Sequence, residues 1–411
     1  MELARGVSDA PPEVMVVREE LMSTIKGSLS RFGFVPFTSP IIERKETLTF
    51  KFAGDEDVMD ELFELQDQGG RDLGLRFDLT VPLCRFVSMN KDVKLPFKRY
   101  EVGSVFRDGP LKAGRTREFV QFDADIVGSS SMLADAECVR VLDSVFSQLP
   151  LSYEIRVNNR KVLDEVLDSL GVSEKQRTIT LLDKIRKIGE EELRKQYLEY
   201  LSEEQVEGVF SFISQSLDSL EDSVGVSELK ELFSYLEGVE SVVFDPSLAR
   251  GLNYYTGTIF EVFLKGSVIT SSVAAGGRYD TIIGQMRGGD EIPAVGCSFG
   301  IEPLTQALLD VRKDKSVSSA QIFVAPIGVV KEAYSIANTL RSQGLCVDMD
   351  VMGRSISKNL DYADKQGIPF VMVVGQRDLD EGVVTLKNMK TGEENKVSLN
   401  SLESFDMSVF E

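Results

Sequence analysis

The sequence predicts an α+β fold: an antiparallel sheet interrupted by a helical insertion, followed by a small α/β domain. Three observations predict it. FKRYEVGSVFRDGP and REFVQFDADIVGS read as two antiparallel strands, rich in β-branched and aromatic residues. From about Asp164 to Leu236 the texture becomes charged and helical. Beyond a polar linker at Val311–Ala320, QIFVAPIG, GLCVDMDV and PFVMVVGQ alternate with helical stretches, as in a small domain with a largely parallel sheet.

The elements follow in order. Val14, Val17, Leu21, Ile25 and Leu29 recur at helical spacing, which predicts a helix from about Pro11 to Arg31. GFVPFTSPIIE is extended and punctuated by Pro36 and Pro40. QGGR, within LFELQDQGGRDLGLRFDLT, reads as a hairpin turn before a helix from Val81 to Met89. A Gly- and cation-rich loop, DGPLKAGRTR, joins the two long strands, and a helix from Met132 to Gln148 follows. EKQRTITLLDKIRKIGEEELRKQYLEYL is the clearest helical run of the insertion, and β-rich sequence returns at Val242. The implied boundaries are 1–163, 164–238, 239–312 and 320–405.

Composition bounds the function. A chain of 411 residues with 42% apolar content has room for roughly two or three cored domains. It has no membrane-length apolar run, and MELARGVSDAPPEV lacks a signal-peptide pattern, so a soluble cytoplasmic protein without membrane partners is expected. Cys84, Cys138, Cys297 and Cys346 lie far apart with no CxxC pair, which argues against a zinc knuckle or a disulfide framework. There is no histidine at all. That removes Ser-His-Asp and Cys-His catalysis and histidine-ligated metals, leaving carboxylates, arginines, lysines, tyrosines and bound ions. No protein-held metal is expected. The net charge of −20 argues against a uniformly basic nucleic-acid surface. Gln321–Asn400, however, carries 9 Lys+Arg against 10 Asp+Glu, so most of the negative charge lies upstream.

Neither GxxxxGK[ST] nor a strand-to-helix GxGxxG is present. Polar residues concentrate instead in four places: Arg76, Asp78 and Thr80 in LRFDLT; Arg107 through Asp125 in VFRDGPLKAGRTREFVQFDAD; ARGLNYYTG; and AAGGRYD. Phe119, Gln121, Asp123 and Asp125 share one strand face by period two, and such a face is costly to bury without a ligand. Tyr254 and Tyr255 are adjacent, so within a strand they would face opposite ways. Taken singly, each motif is more often a turn, a half-buried sheet residue or a surface ion pair.

Taken in order, the motifs resemble those of the class II aminoacyl-tRNA synthetases, and of histidyl-tRNA synthetase in particular. GFVPFTSPIIE, with Pro40, is similar to motif 1. Arg107, the Gly/Arg loop and REF are similar to motif 2, and GCSFGIEPL stands at motif 3. RGLNYYTG and GGRYD resemble the two histidyl signatures, and the segment after the linker resembles the anticodon-binding domain. The resemblance implies a class II catalytic domain on an antiparallel sheet, a homodimer, and ligation of L-histidine to tRNA(His) with ATP and Mg²⁺ but no prosthetic group. Asp78, Thr80 and Gln121 would hold the α-ammonium, with Leu79 also among the histidine-binding residues, and Asp125 and Tyr255 would meet the two imidazole nitrogens. Tyr254 and Tyr279 would complete that pocket. Arg107 and Arg250 would flank the α-phosphate, Arg115 would reach the terminal phosphates, and Phe119 would stack on adenine.

Three positions depart from the family pattern. Pro303 stands where motif 3 commonly has an ATP-contacting Arg, Gly109 where motif 2 commonly has an acid, and Asn253 where Asp is more frequent. The first two favour a second reading, a histidine-binding paralogue that acts as a regulatory subunit without ATP chemistry.

Overall fold

The computed structural model describes residues 2–50, 61–110, 116–250, 254–312 and 318–405. The chain forms two compact units, one of Met1–Asp9 and Glu20–Val311, the other of Ala10–Glu19 and Arg312–Glu411.

The first unit is built on an eight-stranded sheet. Its spatial order is β1 (Val35–Pro36), β5 (Phe97–Phe106), β6 (Glu118–Val127), β11 (Ala294–Gly300), β10 (Ala274–Arg278), β9 (Thr258–Leu264), β7 (Tyr153–Asn159) and β8 (Val242–Phe244). The inner strands pair antiparallel, and only the short edge strands β1 and β8 pair parallel, with β5 and β7. Period two sorts β6 into two faces. Phe122, Ala124 and Ile126 are fully buried in the core. There Phe122 meets Phe299 of β11, which stacks on Phe146 of the helix Met132–Phe146. That helix is capped by Ser131, whose hydroxyl accepts the N–H of Leu133. The opposite face carries Phe119, Gln121, Asp123 and Asp125.

A smaller sheet, with β4 (Asp72–Leu75) between β2 (Ile42–Arg44) and β3 (Glu64–Gln66), ends just before the helix Thr80–Met89. The QGGR turn closes the β3–β4 hairpin as expected, with Gly70 in the left-handed region that the turn requires.

The insertion is helical from Arg160 to Tyr235 apart from short connections. Its long charged run is not one helix but three: Lys175–Leu182, Ile185–Ile188 and Glu190–Leu198. Gly189, at φ +81°, breaks it. Folding back brings Tyr197 against the first piece, where its hydroxyl donates to the Thr178 carbonyl at 2.9 Å.

In the second unit the sheet order is β13 (Val347–Met349), β12 (Ile322–Ile327), β14 (Phe370–Gly375), β15 (Val383–Asn388) and β16 (Glu394–Ser398). The first three are parallel, but β15 and β16 add an antiparallel hairpin, so the sheet is mixed rather than largely parallel. The β12 and β14 strands bury both faces and read as continuous apolar runs. The hairpin strands are polar on one face, so their signal is weaker. Among the described residues, no helix is long and apolar enough to cross a membrane.

Candidate active site

A cavity of about 720 Å³ lies over the polar face of the large sheet. Its floor is β6, β10 and β11. The small residues Ala274, Ala275, Gly276 and Gly277 keep β10 low. Two glycines are fixed by close approach. A Cβ on Gly296 would stand 2.0 Å from Asp125 Oδ1, and one on Gly277 would stand 2.8 Å from the Tyr255 ring.

Of the expected site residues, Asp78, Thr80, Arg107, Phe119, Gln121, Asp125, Arg250, Tyr254, Tyr255 and Tyr279 all line this cavity. Leu79 does not: its side chain is fully buried and its carbonyl accepts from Arg99 Nη2 at 3.1 Å. Arg115 and Lys112 lie outside the described residues, as do Gly251 and Asn253.

Asp78 is set by the start of a helix. Its Oδ1 accepts the N–H of Val81 at 2.9 Å, which orients the carboxylate and adds the favourable N-terminal dipole. Asp125 is set by register. β5 places Arg99 opposite it, and Arg99 Nη2 lies 2.8 Å from Asp125 Oδ2. From the end of β10, the Tyr279 hydroxyl donates to Asp125 Oδ1 at 2.5 Å. Arg99 and Asp125 are both buried. Burial opposes the Arg99 charge, but Asp125 and Asp123 more than offset this and raise its pKa. Gln121 donates to Ser298 Oγ at 3.3 Å, while its own Oε1 has no partner among the described residues.

Tyr254 and Tyr255 both reach the cavity because they precede β9 instead of lying in it, so strand alternation does not apply. Their rings lie 4.3 Å apart, and the Tyr254 hydroxyl donates to that of Tyr255 at 3.2 Å. Burial pushes the Tyr254 phenol up to about 12, so it stays a neutral donor. Arg250 pairs with Glu261 of β9 and lies 5.7 Å from the Tyr255 ring centre. Burial opposes its charge, yet Tyr255 and Glu261 raise its pKa, so it remains a fixed cation. Arg107 stands past the end of β5. Its Nε donates to the Phe77 carbonyl at 3.1 Å, and its guanidinium lies 5.0 Å from the Phe119 ring centre.

Three residues from the polar motifs serve the scaffold instead. Arg76 is buried and ties Glu101 (2.9 Å) to the carbonyl of Ser39 (2.8 Å), bracing the extended segment before Pro40. Arg278 pairs with buried Asp135, and Asp280 joins it at 3.1 Å. Sequence reading missed Arg99, Ser298, Glu261 and Glu302. Arg99 and Ser298 owe their roles to cross-strand register, which no local pattern announces. Glu302, at the start of the helix Ile301–Val311, accepts the Val120 N–H at 3.0 Å, and Pro303 beside it lines the cavity. Asp108, next to Gly109, is held by Arg117 at 2.9 Å.

The cavity thus joins a carboxylate- and phenol-rich end to an end with guanidinium groups and an aromatic platform. The family model described as Histidyl-tRNA synthetase matches residues 6–304, and one described as Anticodon binding domain matches 321–405. "Histidine--tRNA ligase 1" of Bacillus cereus is 41% identical over 98% of this chain and 99% of its own length. The crystal structure of histidyl-tRNA synthetase from Nostoc sp. PCC 7120 superposes with a TM-score of 0.86 at 29% identity, covering 98% of both chains. A structure titled as an ATP phosphoribosyltransferase regulatory subunit/histidyl-tRNA synthetase from Bacillus halodurans shares the fold, with a TM-score of 0.74 at 21% identity over 91% of this chain and 98% of its own. By the extent of these matches and the order of its motifs, the chain belongs to the histidyl-tRNA synthetase family.

Proposed function

We infer that this chain activates L-histidine with ATP and transfers it to tRNA(His). The observation that carries the reading is the order of side chains along β6. At about 3.4 Å per residue, Phe119 and Asp125 are roughly 20 Å apart on one face, with Gln121 between them. That track accommodates an adenine at one end and an amino acid at the other.

Asp78, Thr80 and Gln121 hold the α-ammonium. Leu79 contributes only main chain, since its side chain is buried. Asp125 and Tyr255 address the two imidazole nitrogens, which differ as donor and acceptor. Pairing both rejects isosteres that lack them. Tyr254 and Tyr279 wall the ring. Phe119 stacks on adenine, Arg107 and Arg250 flank the α-phosphate, and Arg115 reaches toward the terminal phosphates. A histidine carboxylate oxygen attacks the α-phosphorus, the bond to the β-phosphate oxygen breaks, and pyrophosphate leaves. The 3′ end of the tRNA then attacks the acyl carbon and AMP leaves. Neither step needs a protein nucleophile; both need positioning and fixed cations. Among the described residues, no group of three or more His, Cys, Asp or Glu could hold a metal ion. Mg²⁺ is expected to come with the substrate, on the ATP phosphates.

The second unit takes the anticodon, and the Lys112–Arg117 loop meets the acceptor end. Phosphate contacts release counterions, so tRNA affinity falls as salt rises. Deleting Ser319–Glu411 is expected to weaken aminoacylation far more than histidine-dependent pyrophosphate exchange. Equal loss of both in a folded truncation would refute this division.

A cytoplasmic homodimer is the expected form. The segment Met22–Glu43 has the helix-strand-proline form that pairs across a two-fold axis in this class, giving an isologous interface. Sedimentation at micromolar concentration should show a dimer; a monomer alone would count against the assignment.

The alternative that Pro303 and Gly109 suggested, a histidine-binding regulatory subunit without ATP chemistry, is not favoured by the relatives, which are named histidine--tRNA ligases and match over nearly the whole chain. Histidine-dependent exchange of pyrophosphate into ATP separates the two readings.

A further inference from the structure

Asp123 sits in the floor of the cavity, between the residues given to ammonium and to imidazole. It is 3% exposed, and its Oδ1 has no hydrogen-bond partner among the described residues. The groups around it are unevenly charged. Asp125 lies two residues along β6. Across the β5 pairing stand Glu101, its direct register partner, and Arg99, whose short contact goes to Asp125. Across the β11 pairing stand Ser298, which hydrogen-bonds Asp123, and the neutral thiol of Cys297. Asp78 and Tyr254 face it from the loops above. Asp123 and Asp125 thus both draw on Arg99, whose short contact goes to Asp125. Arg76 serves Glu101, and Arg250 serves Glu261. A buried carboxylate oxygen without a donor is costly. Here it also faces the space assigned to a ligand that brings a positive charge.

We propose that Asp123 is a proton-linked receptor for the charge of the amino-acid substrate: the arriving ammonium expels a proton from this carboxyl to solvent and supplies the donor that its bare oxygen lacks. The proposal rests on reading the cavity as the histidine site. Burial first, and then the Asp125 charge, push the Asp123 carboxyl up to about 7, while Arg99 and Ser298 only partly oppose them. Near neutrality about half the free molecules therefore hold the proton. A nearby cation favours the ionised form, so ligand binding lowers this pKa and releases protons. Affinity for histidine rises with pH through about 7 and then levels off.

The free protein carries the opposite signature. The folded pKa lies above the unfolded carboxylate value of about 3.9, so this group's stabilising contribution is complete below that pH and lost as pH rises through about 7. Asp123→Asn has no such loss, so the melting temperature of the unliganded variant relative to wild type should climb as pH rises from about 4 to about 7 and then level off.

The test is calorimetric titration of the full chain with histidine, in buffers of different ionisation enthalpy. Free imidazole is nearly all neutral at pH 8 but still about one quarter protonated at pH 7, so the Asp123 share at pH 7 is the difference between wild type and Asp123→Asn. Asp123 should contribute a release of about half a proton at pH 7 and about one tenth at pH 8. Asp123→Asn should release about half a proton less than wild type at pH 7 and bind about tenfold more weakly at pH 8. Histidine binding to wild type without proton release at pH 7 would overturn the role of Asp123 and leave the histidine site standing. An unchanged release in Asp123→Asn would do the same. No histidine binding by wild type at any pH would remove both. If the variant does not fold, the wild-type release in excess of the share of free imidazole decides.

Discussion

Arg250→Ala is expected to lower histidine-dependent adenylate formation by about 10²-fold or more, a loss of roughly 2.7 kcal/mol on the scale of a single oxyanion donor. The α-phosphate gains negative charge as the carboxylate attacks, so a guanidinium fixed beside it stabilises the transition state more than the ground state. Arg250 is held for this purpose by Glu261 and by the face of Tyr255, and both keep it charged despite burial. The same pairing complicates the alanine variant. Removing the cation leaves Glu261, 8% exposed, with the Ser272 hydroxyl at 3.2 Å, and stripping one partner from a buried pair costs about 3–5 kcal/mol. Arg250→Lys separates the two effects. It keeps a charge for Glu261, so folding should survive, but a point charge cannot span two oxygens. Its kcat should therefore recover only in part. Near wild-type activation by a folded Arg250→Ala would reduce Arg250 to a scaffold residue.

The second large effect is at Asp125. Asp125→Asn should raise the KM for histidine about tenfold or more and leave the KM for ATP nearly unchanged, because a hydrogen bond to a charged group contributes about 1.5–3 kcal/mol. The asparagine keeps one acceptor oxygen, for the Tyr279 hydroxyl, but turns an N–H₂ donor toward Arg99 in place of the second carboxylate oxygen, so a Tm measurement accompanies the kinetics. Asp125→Ala is the less informative variant. It strands Arg99, which is fully buried and whose remaining carboxylate, Glu101, lies 3.7 Å away. A stability loss of about 3–5 kcal/mol is expected there, visible as a lowered Tm. Unchanged histidine affinity in Asp125→Asn would show that Asp125 serves Arg99 and not the ligand.

Much of this architecture was legible in the sequence because it is locally encoded. The β5 and β6 strands carry β-branched and aromatic residues over ten positions each, and the period-two face from Phe119 to Asp125 is the face that lines the cavity. The insertion was legible as helical in texture but not in length, since breaks at Asp183–Lys184 and at Gly189 divide a continuous charged run into three short helices. The C-terminal hairpin was not legible, because edge strands with one polar face look like loop.

For the site, motif residues that touch the cavity were visible, and residues that position them were not. Arg278 and Arg76 read like ligand-binding arginines but are bound to Asp135 and Glu101 in the scaffold. Arg99, in contrast, reads like an ordinary strand residue. Only the antiparallel register brings it opposite Asp125. Long-range pairing of this kind is set by the whole sheet, so the electrostatic wiring of the floor, including the unpartnered oxygen of Asp123, becomes visible only once the strands are aligned.

The most direct test of the central claim is exchange of labelled pyrophosphate into ATP by the purified full-length chain. The account predicts exchange that requires L-histidine and Mg²⁺ and that other amino acids do not support. Histidine binding without any exchange, with Pro303 in place of the expected arginine, would contradict it and leave a histidine-binding regulatory protein.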